Sequence, residues 1–238
     1  MSDLKAVVFN CTLSKDETKS HTRVLSSAAE RILQDNGVAV DHIHAANFEI
    51  AHGMAPDMTK EGWAQDDWPS LWPRVLAADI LILATPIWLG EESSYCRKVI
   101  ERLYAMTSLI NEKGQQIYYN KVGGALVTGN EDGVKHVSMS IVWALQHMGF
   151  TIPPQADTGW IGPIGPGASF GDPSDAGTPV GFDNDFTKQS TAQLAWNLIH
   201  LARILKAAGG IPNQGNDSQA WKKGERFGYR DPEPLTRS

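Results

Sequence analysis

Three segments carry the residues of this chain whose types and spacing could do chemistry, and each follows a run that is typical of a buried strand. Loop 1 (residues 10–22) is rich in hydroxyl groups and leads into a predicted helix. Free backbone N–H groups and the dipole at a helix N-terminus favour phosphate binding. We therefore predict phosphate donors at four positions of loop 1, namely Thr12, Ser14, Ser20 and Thr22. The alternative is a polar loop in which Ser20 or Thr22 only caps the helix.

Loop 2 (residues 85–90) follows the unbroken apolar run 80–84, which is typical of a strand covered on both faces. Pro86 cannot donate a hydrogen bond to a sheet, so we expect the chain to leave the sheet there. The next residues are apolar although they lie in a predicted loop: Ile87, Trp88, Leu89 and Gly90. An apolar loop at the carboxyl end of a central parallel strand suits a flat apolar ring. Trp88 could instead belong to the core, where most tryptophans are largely buried.

Loop 3 (residues 128–133) consists of Thr128, Gly129, Asn130, Glu131, Asp132 and Gly133. Its two glycines let the backbone approach a ligand closely and direct N–H groups at it. Such donors stabilise negative charge that develops on a bound ring. One alternative is a simple turn with Asp132 as a helix cap. Another is a carboxylate pair of Glu131 and Asp132 for acid–base or metal chemistry, although neighbouring side chains seldom point at one place.

Alternating strands and helices position these loops. The apolar runs predict strands over 5–10, 38–44, 80–84 and 122–128, with a last strand that begins at Phe150. Helical spacing predicts helices over 22–36, 68–78, 93–106, 134–148 and 186–208. This alternation indicates an α/β fold with a five-stranded parallel sheet and helices on both faces. We predict the strand order 2-1-3-4-5, which brings loops 1, 2 and 3 to the same edge.

Length and composition limit the remaining possibilities. The 238 residues suffice for one α/β domain, which we place at 1–210 and which includes an ordered, Gly- and Pro-rich loop at 159–185; a surface tail follows at 211–238. The two cysteines, the plain N-terminus and the lack of a long apolar run predict a cytoplasmic protein without a membrane partner. The formal net charge of −6 argues against nucleic acid as a partner.

The three loops together resemble the flavodoxin-like family of NAD(P)H-dependent FMN reductases and quinone reductases. Residues 10–13 and Ser20, His21 and Thr22 correspond to the phosphate loop of that family, with Cys11 and Ser20 in place of glycines and an insertion at 15–19. Loop 2 is similar to the family's Pro-x-aromatic-x-Gly segment, and loop 3 to its third flavin loop. The resemblance extends over residues 4–208.

The resemblance implies non-covalent FMN, with its phosphate in loop 1 (His21 included), its ring on loop 2 and its pyrimidine side at loop 3. It implies NAD(P)H as electron donor and a small-molecule acceptor such as a quinone or free flavin, with no catalytic acid or base from the protein. It also implies a homodimer or homotetramer, with the segments 63–72, 159–185 and the tail as candidates to complete a neighbour's site. Two other functions stay open: a flavodoxin-type electron-transfer protein, and a phosphoacceptor regulator, which the non-acidic Asn10 and Cys11 disfavour.

Overall fold

The computed structural model describes residues 4–235, in which a parallel sheet forms the centre of the molecule. Its strands are β1 (Leu4–Asn10), β2 (Val38–His44), β3 (Ile80–Trp88), β5 (Val122–Asn130) and β6 (Asp157–Gly162), and a two-residue strand β4 (Glu91–Glu92) pairs antiparallel with β3. The parallel strands lie in the order β2-β1-β3-β5-β6. Because β4 lies off this path, the order is the one predicted for five strands, and the flavodoxin-like prediction is confirmed.

Helices cover both faces of this sheet. They are α1 (His21–Asp35), α2 (Trp68–Ala77), α3 (Ser94–Tyr104), α4 (Val134–His147), α5 (Asp185–Ala207) and the short α6 (Ser218–Lys222). On one face α1 and α5 bury residues such as Leu25 and Leu198 against Val8. On the other face α2, α3 and α4 pack against Phe9 and Leu83. Burial of these apolar stripes on both faces is what keeps a parallel sheet out of water.

Strand β3 is longer than predicted. The chain does not leave the sheet at Pro86, because β3 continues to Trp88 and Pro86 lies opposite Thr128 of β5. Strand β1 ends opposite Ala84, so at Pro86 the only parallel neighbour of β3 is β5, and β4 pairs with β3 only from Ile87 onward. The absent N–H of Pro86 is tolerated there because the β1 side of the sheet has already ended.

The last strand is displaced from its predicted position. Thr151 forms only an isolated bridge with Val122, and the strand proper is β6 at 157–162. Pro153 and Pro154 have no N–H groups with which to continue a ladder, so the chain bulges out before it pairs again with β5. The predicted loop at 159–185 accordingly begins four residues later, and its Ile164 is exposed, not buried.

The tryptophan-rich segment before β3 belongs mostly to the core. Trp68 is fully buried, with its ring 6.5 Å from that of Phe9, and Trp72 packs against Tyr118. Asp66 holds the preceding loop by a 2.7 Å ion pair with the buried Arg102. Of the predicted 63–72 partner segment, therefore, only the half-exposed Trp63 presents a large aromatic surface to solvent.

The beginning of the tail is attached to the domain, and the rest is mostly exposed. The Ile211 N–H donates to Asn120 Oδ1 (2.6 Å), and Gln115 Nε2 donates to Asn216 Oδ1 (2.9 Å). The boundary at 210 stays a prediction; residues 1–3 of the predicted domain and 236–238 of the predicted tail lie outside the described residues. Among residues 4–235, no helix is both long and apolar enough to span a membrane.

Candidate functional site

The three loops lie together where β1, β3 and β5 end. The hydroxyl groups of Thr22 in loop 1 and Thr128 in loop 3 are 2.7 Å apart. Ser93, just after loop 2, donates its hydroxyl hydrogen to the Cys11 carbonyl of loop 1 (2.5 Å). Loops 2 and 3 approach each other so closely that a Cβ added at Gly133 would lie 3.2 Å from Gly90. The structure thus brings the predicted residues to one edge, while their role in holding a ligand stays a prediction.

In loop 1, three of the four predicted phosphate donors use their hydroxyl groups in internal hydrogen bonds; Ser14 bonds with the backbone of Asp16. Ser20 is buried and caps α1, because its hydroxyl accepts from the Arg23 N–H (3.0 Å). Thr22 is also buried and uses its hydroxyl on Thr128. Thr12 is half-buried and Ser14 is exposed, so their side chains remain closer to solvent. The capping role considered for Ser20 is therefore present.

His21, the remaining loop 1 residue for which the family resemblance implies a contact with the phosphate, connects loop 1 to the long loop after β6. Its Nδ1 atom lies 3.0 Å from the carbonyl oxygen of Phe170 and 3.6 Å from Asp172 Oδ1. Loop 3 meets the same stretch, since Asn130 Oδ1 accepts from the Ser169 hydroxyl (3.2 Å). The 168–172 stretch therefore lies against loops 1 and 3 of its own chain.

Loop 2 presents apolar side chains to solvent. Trp88 is 56% exposed and Leu89 is fully exposed, whereas Ile87 packs against the core. Leu89 also has a positive φ of 53°, which is uncommon for a residue with a side chain. Exposed apolar groups in a strained loop at the end of a central strand are consistent with contact to a ligand.

Loop 3 turns the chain sharply into α4. Glu131 has a positive φ of 77°, and its N–H donates to the Gly162 carbonyl of β6 (3.1 Å). Gly133, with φ of 100°, is the residue that precedes α4, and no side chain caps this helix. Asp132 is therefore not the helix cap that was considered. The carboxylates of Glu131 and Asp132 are both exposed.

Gly129 lies at a point of close packing between β5 and loop 2. A Cβ at this position would lie 2.8 to 3.0 Å from the side chain of Ile87 in loop 2. Its φ is not positive, so no left-handed backbone is required. The missing side chain lets β5 and loop 2 pack together, and the role of Gly129 in ligand approach stays a prediction.

A cavity of about 850 Å³ opens beside loops 2 and 3. The described residues that line it come from loop 2, loop 3, β6 and the first turns of α4 and α5, not from loop 1; they include Leu89, Glu131, Lys135, Asp157 and Phe186. A hydrogen bond between His136 and Glu91 (3.0 Å) and an ion pair between Lys135 and Asp157 (3.8 Å) span part of its wall. The cavity therefore combines an apolar floor with charged walls, as small-molecule sites commonly do.

A polar cluster beside loop 1 was missed in the sequence. Glu17 accepts from Asn10 Nδ2 (2.9 Å) and lies 2.5 Å from His42 Nε2, and His42 Nδ1 lies 2.9 Å from the buried Glu30. Burial alone would raise the pKa of Glu17, but its hydrogen bonds with Asn10 and His42 outweigh this and lower the pKa. Burial lowers the pKa of His42, and its hydrogen bonds with Glu30 and Glu17 raise it by more, so its net pKa is raised.

Two features of the sequence could have revealed this cluster. His42 and His44 are two residues apart at the carboxyl end of a predicted strand, and alternation puts such residues on one face. That strand neighbours β1, which leads into loop 1. The hydrogen-bonding partner Glu17, by contrast, lies in the insertion 15–19, whose path only the folded chain reveals.

Cys11 is a buried structural residue. It is fully buried beside Cys96, and both are free thiols. Burial, together with the hydrogen bond to Cys96, raises the pKa of the Cys11 thiol. A neutral, buried thiol is a poor nucleophile.

The residues of the three loops fit a phosphorylated flavin in their chemistry. The exposed Trp88 and Leu89 suit the apolar ring, and the helix N-terminus at Ser20 suits an anion. The His44 Nδ1 atom beside loop 1 is buried and has no hydrogen-bond partner within the described residues. A buried polar nitrogen atom without a partner is a sign of a site that receives a polar group.

Comparison with known proteins agrees with this geometry. The model of the NADPH-dependent FMN reductase family matches residues 4–159. The 8-demethyl-8-aminoriboflavin-5'-phosphate synthase of Streptomyces davaonensis is 30% identical over 208 residues, which are 85% of this chain and 79% of that protein. A protein of Mycobacterium bovis named as a divalent metal cation transporter is 51% identical over 204 residues, but the chain spans only 29% of its length.

Solved structures of flavin-related proteins also resemble this chain. The crystal structure of RosB with bound 8-demethyl-8-formylriboflavin-5'-phosphate matches with a TM-score of 0.80 and 28% identity, and covers 98% of this chain and 92% of that one. A flavone reductase matches with a TM-score of 0.58 at 15% identity, over 89% of this chain and 67% of that one, which indicates a shared fold.

Proposed function

Because the chain belongs to the family of NADPH-dependent FMN reductases, we propose that it is an FMN-dependent oxidoreductase. It passes a hydride or electrons from NAD(P)H to a quinone, a flavin or a similar small acceptor. The observation that carries this proposal is the meeting of loops 1, 2 and 3 at the edge of the sheet where β1, β3 and β5 end. That edge is where ligands bind in open parallel sheets.

The chain's own residues position the cofactor and exclude water in this proposal. FMN supplies the redox chemistry when it is bound. Loop 1 and the N-terminus of α1 hold the phosphate, Trp88 and Leu89 contact the ring, and backbone N–H groups of loop 3 face its pyrimidine side. The cavity beside loops 2 and 3 is open to solvent and admits the nicotinamide and the acceptor.

The test is a visible absorption spectrum of the purified protein with added FMN, followed by anaerobic titration with NADH and NADPH. We expect the protein to bind FMN and to transfer reducing equivalents to it, which bleaches the flavin band. A protein that binds no FMN would contradict the proposal. A protein that binds FMN but is reduced only through a partner reductase would be an electron-transfer flavoprotein.

A second candidate function is chemical modification of a flavin 5'-phosphate that binds as substrate. The observation in favour is that RosB matches nearly the whole chain, tail included, with a TM-score of 0.80, compared with 0.58 for the flavone reductase. After incubation with FMN and NAD(P)H, mass spectrometry of the recovered flavin distinguishes the two functions. Unchanged FMN supports the oxidoreductase, and an altered ring supports the modifying enzyme.

We also propose a cytoplasmic homodimer or homotetramer. Exposed apolar side chains on α3 and α4 support an assembly, since Trp143 is 63% exposed, Met139 is 67% exposed and Tyr104 is 46% exposed. The exposed part of the tail and the 159–185 loop are further candidates for contact with a neighbouring subunit.

A further inference from the structure

Glu17 occupies a set of hydrogen-bond donors beside loop 1. Its Oε1 atom lies 2.9 Å from Asn10 Nδ2, 2.5 Å from His42 Nε2 and 3.5 Å from His44 Nδ1. Arg23 adds its Nε atom at 4.0 Å. One carboxylate oxygen is thus surrounded by an amide, two imidazoles and a guanidinium, which are also the groups that bind phosphate oxygens.

One of these donors is buried and unsatisfied. The side chain of His44 is only 3% exposed, and its Nδ1 atom points toward Glu17 without a hydrogen bond, while its Nε2 atom is 2.8 Å from the Ser14 carbonyl oxygen. A buried polar atom without a partner costs free energy. Because the Nε2–H group donates to Ser14, Nδ1 carries a hydrogen only in the imidazolium form of the ring, and in that form an oxyanion larger than a carboxylate at the same point would accept from it.

The groups that surround Glu17 belong to regular elements, whereas Glu17 itself lies in a short turn. His42 and His44 lie in β2, and Arg23 lies in the first turn of α1. Glu30, buried in α1, holds Arg23 (2.8 Å) and His42 (2.9 Å) in place. Glu17 itself begins a three-residue 3-10 turn, and its neighbours Asp16 and Thr18 are exposed. A short exposed turn can move away at little cost in buried contacts.

We propose that Arg23, His42 and His44 form a phosphomonoester subsite which Glu17 covers, so that Glu17 sets the selectivity for phosphorylated over unphosphorylated flavin. The inference rests on the proposed function, because it assigns the place of the flavin phosphate in that same site. The incoming phosphate displaces the Glu17 carboxylate from the donors. Binding of FMN therefore requires displacement of the Glu17 carboxylate, whereas binding of riboflavin, which has no phosphate, does not.

The test measures the affinities of FMN and riboflavin by quenching of flavin fluorescence on the full chain. For Glu17→Gln we expect FMN to bind about fivefold more tightly and riboflavin to bind as before, since the loss of one partly exposed charge changes affinity by about this factor. The matched control is Asp16→Asn, which removes the same charge from the adjacent exposed position and should leave both affinities unchanged.

A second variant tests the donors themselves. His42→Gln should weaken FMN binding about fivefold without changing riboflavin binding, because one charge-assisted hydrogen bond to the phosphate is lost. Equal changes for FMN and riboflavin in Glu17→Gln, or no change in either, would overturn the proposal.

A readout that does not need flavin separates this inference from the proposed function. Inorganic phosphate added to the protein should shift the imidazole resonances of His42 and His44, at lower concentrations in Glu17→Gln than in the unmodified chain. If no flavin binds but these shifts occur, the proposed function fails and the anion subsite stands. If flavin binds and phosphate does not shift the histidine resonances in either the unmodified chain or Glu17→Gln, the proposed subsite is wrong and the proposed function stands.

Discussion

The hydroxyl oxygens of Thr22 and Thr128 lie 2.7 Å apart, although 106 residues separate them in the chain. Both side chains are buried, so this hydrogen bond joins the start of α1 to the end of β5 away from water. It fixes loop 1 relative to loop 3. The proposed site depends on this distance, because one loop faces the phosphate and the other faces the ring.

Replacing either threonine should therefore destabilise the protein and loosen the site. Thr22→Val or Thr128→Val leaves a buried hydroxyl without a partner, which costs about 1–3 kcal/mol of the free energy of unfolding. The double variant should lose less than the sum of the two, because the unpaired hydroxyl is removed as well. Urea denaturation measures the free energy of unfolding of the two single variants and of the double variant. If the loss in the double variant equalled the sum of the two single losses, the two hydroxyls would not be coupled.

The exposed loop 2 should matter for flavin binding and little for folding. Trp88→Ala should weaken FMN binding about tenfold, because an aromatic contact to a ring contributes about 1 kcal/mol beyond its burial. The melting temperature should hardly change, since the side chain is 56% exposed. Trp196→Ala, at a partly exposed tryptophan outside the three loops and outside the candidate subunit-contact segments, is the control. Equal FMN affinity in the Trp88 variant would exclude a ring contact at this residue.

Adding a side chain at Gly129 should lower the stability of the protein because the position is closely packed. Gly129→Ala places a Cβ against Ile87 and should lower the free energy of unfolding by about 1–3 kcal/mol, the usual cost of overpacking. Ile87→Ala removes two of the three nearest atoms and should partly restore stability in the double variant. If Gly129→Ala left stability unchanged but abolished FMN binding, the glycine would serve ligand approach after all.

Stability should be highest in a window of mildly acidic pH. The raised pKa of His42 means that its contribution is fully present below its ordinary value of 6.5 and is lost as pH rises through the folded-state pKa. The lowered pKa of Glu17 means that its contribution is present above its ordinary value of 4.5 and is lost as pH falls through the folded-state pKa. The groups that face this pair are Glu30, Arg23 and His44.

The measurement is the free energy of unfolding at a series of pH values. We expect His42→Gln to flatten the decline above pH 6.5 relative to the unmodified chain. His200→Gln, at a histidine that only stacks on the ring of Trp196, is the control and should keep the decline. An identical pH profile in all three proteins would show that His42 does not stabilise the fold through its charge.

The apolar surface on α3 and α4 should govern assembly. Trp143→Glu places a charge at the centre of that surface, next to the stacked ring of His147. Light scattering should then report a smaller particle than the unmodified chain. Trp196→Glu, on α5, is the control. A particle of unchanged size in the Trp143 variant would place the subunit contact elsewhere.

The sequence by itself determined the fold class, the order of the parallel strands and the three loops. These follow from local patterns, since an unbroken apolar run such as 80–84 can only be buried on both faces and right-handed connections leave few arrangements. The buried stripe of α3 and its cap at Ser93 were predictable for the same reason.

Only the tertiary structure decided what lies beside those loops. Pro86 stays in the sheet because β1 ends before it, and Gly129 is small because Ile87 packs there. The gathering of Glu17, His42 and His44 depends on the path of an insertion that has no pattern of its own. Local propensity fixes where strands and helices form, but contacts between residues far apart in the chain are settled only when the packed sheet brings their ends together.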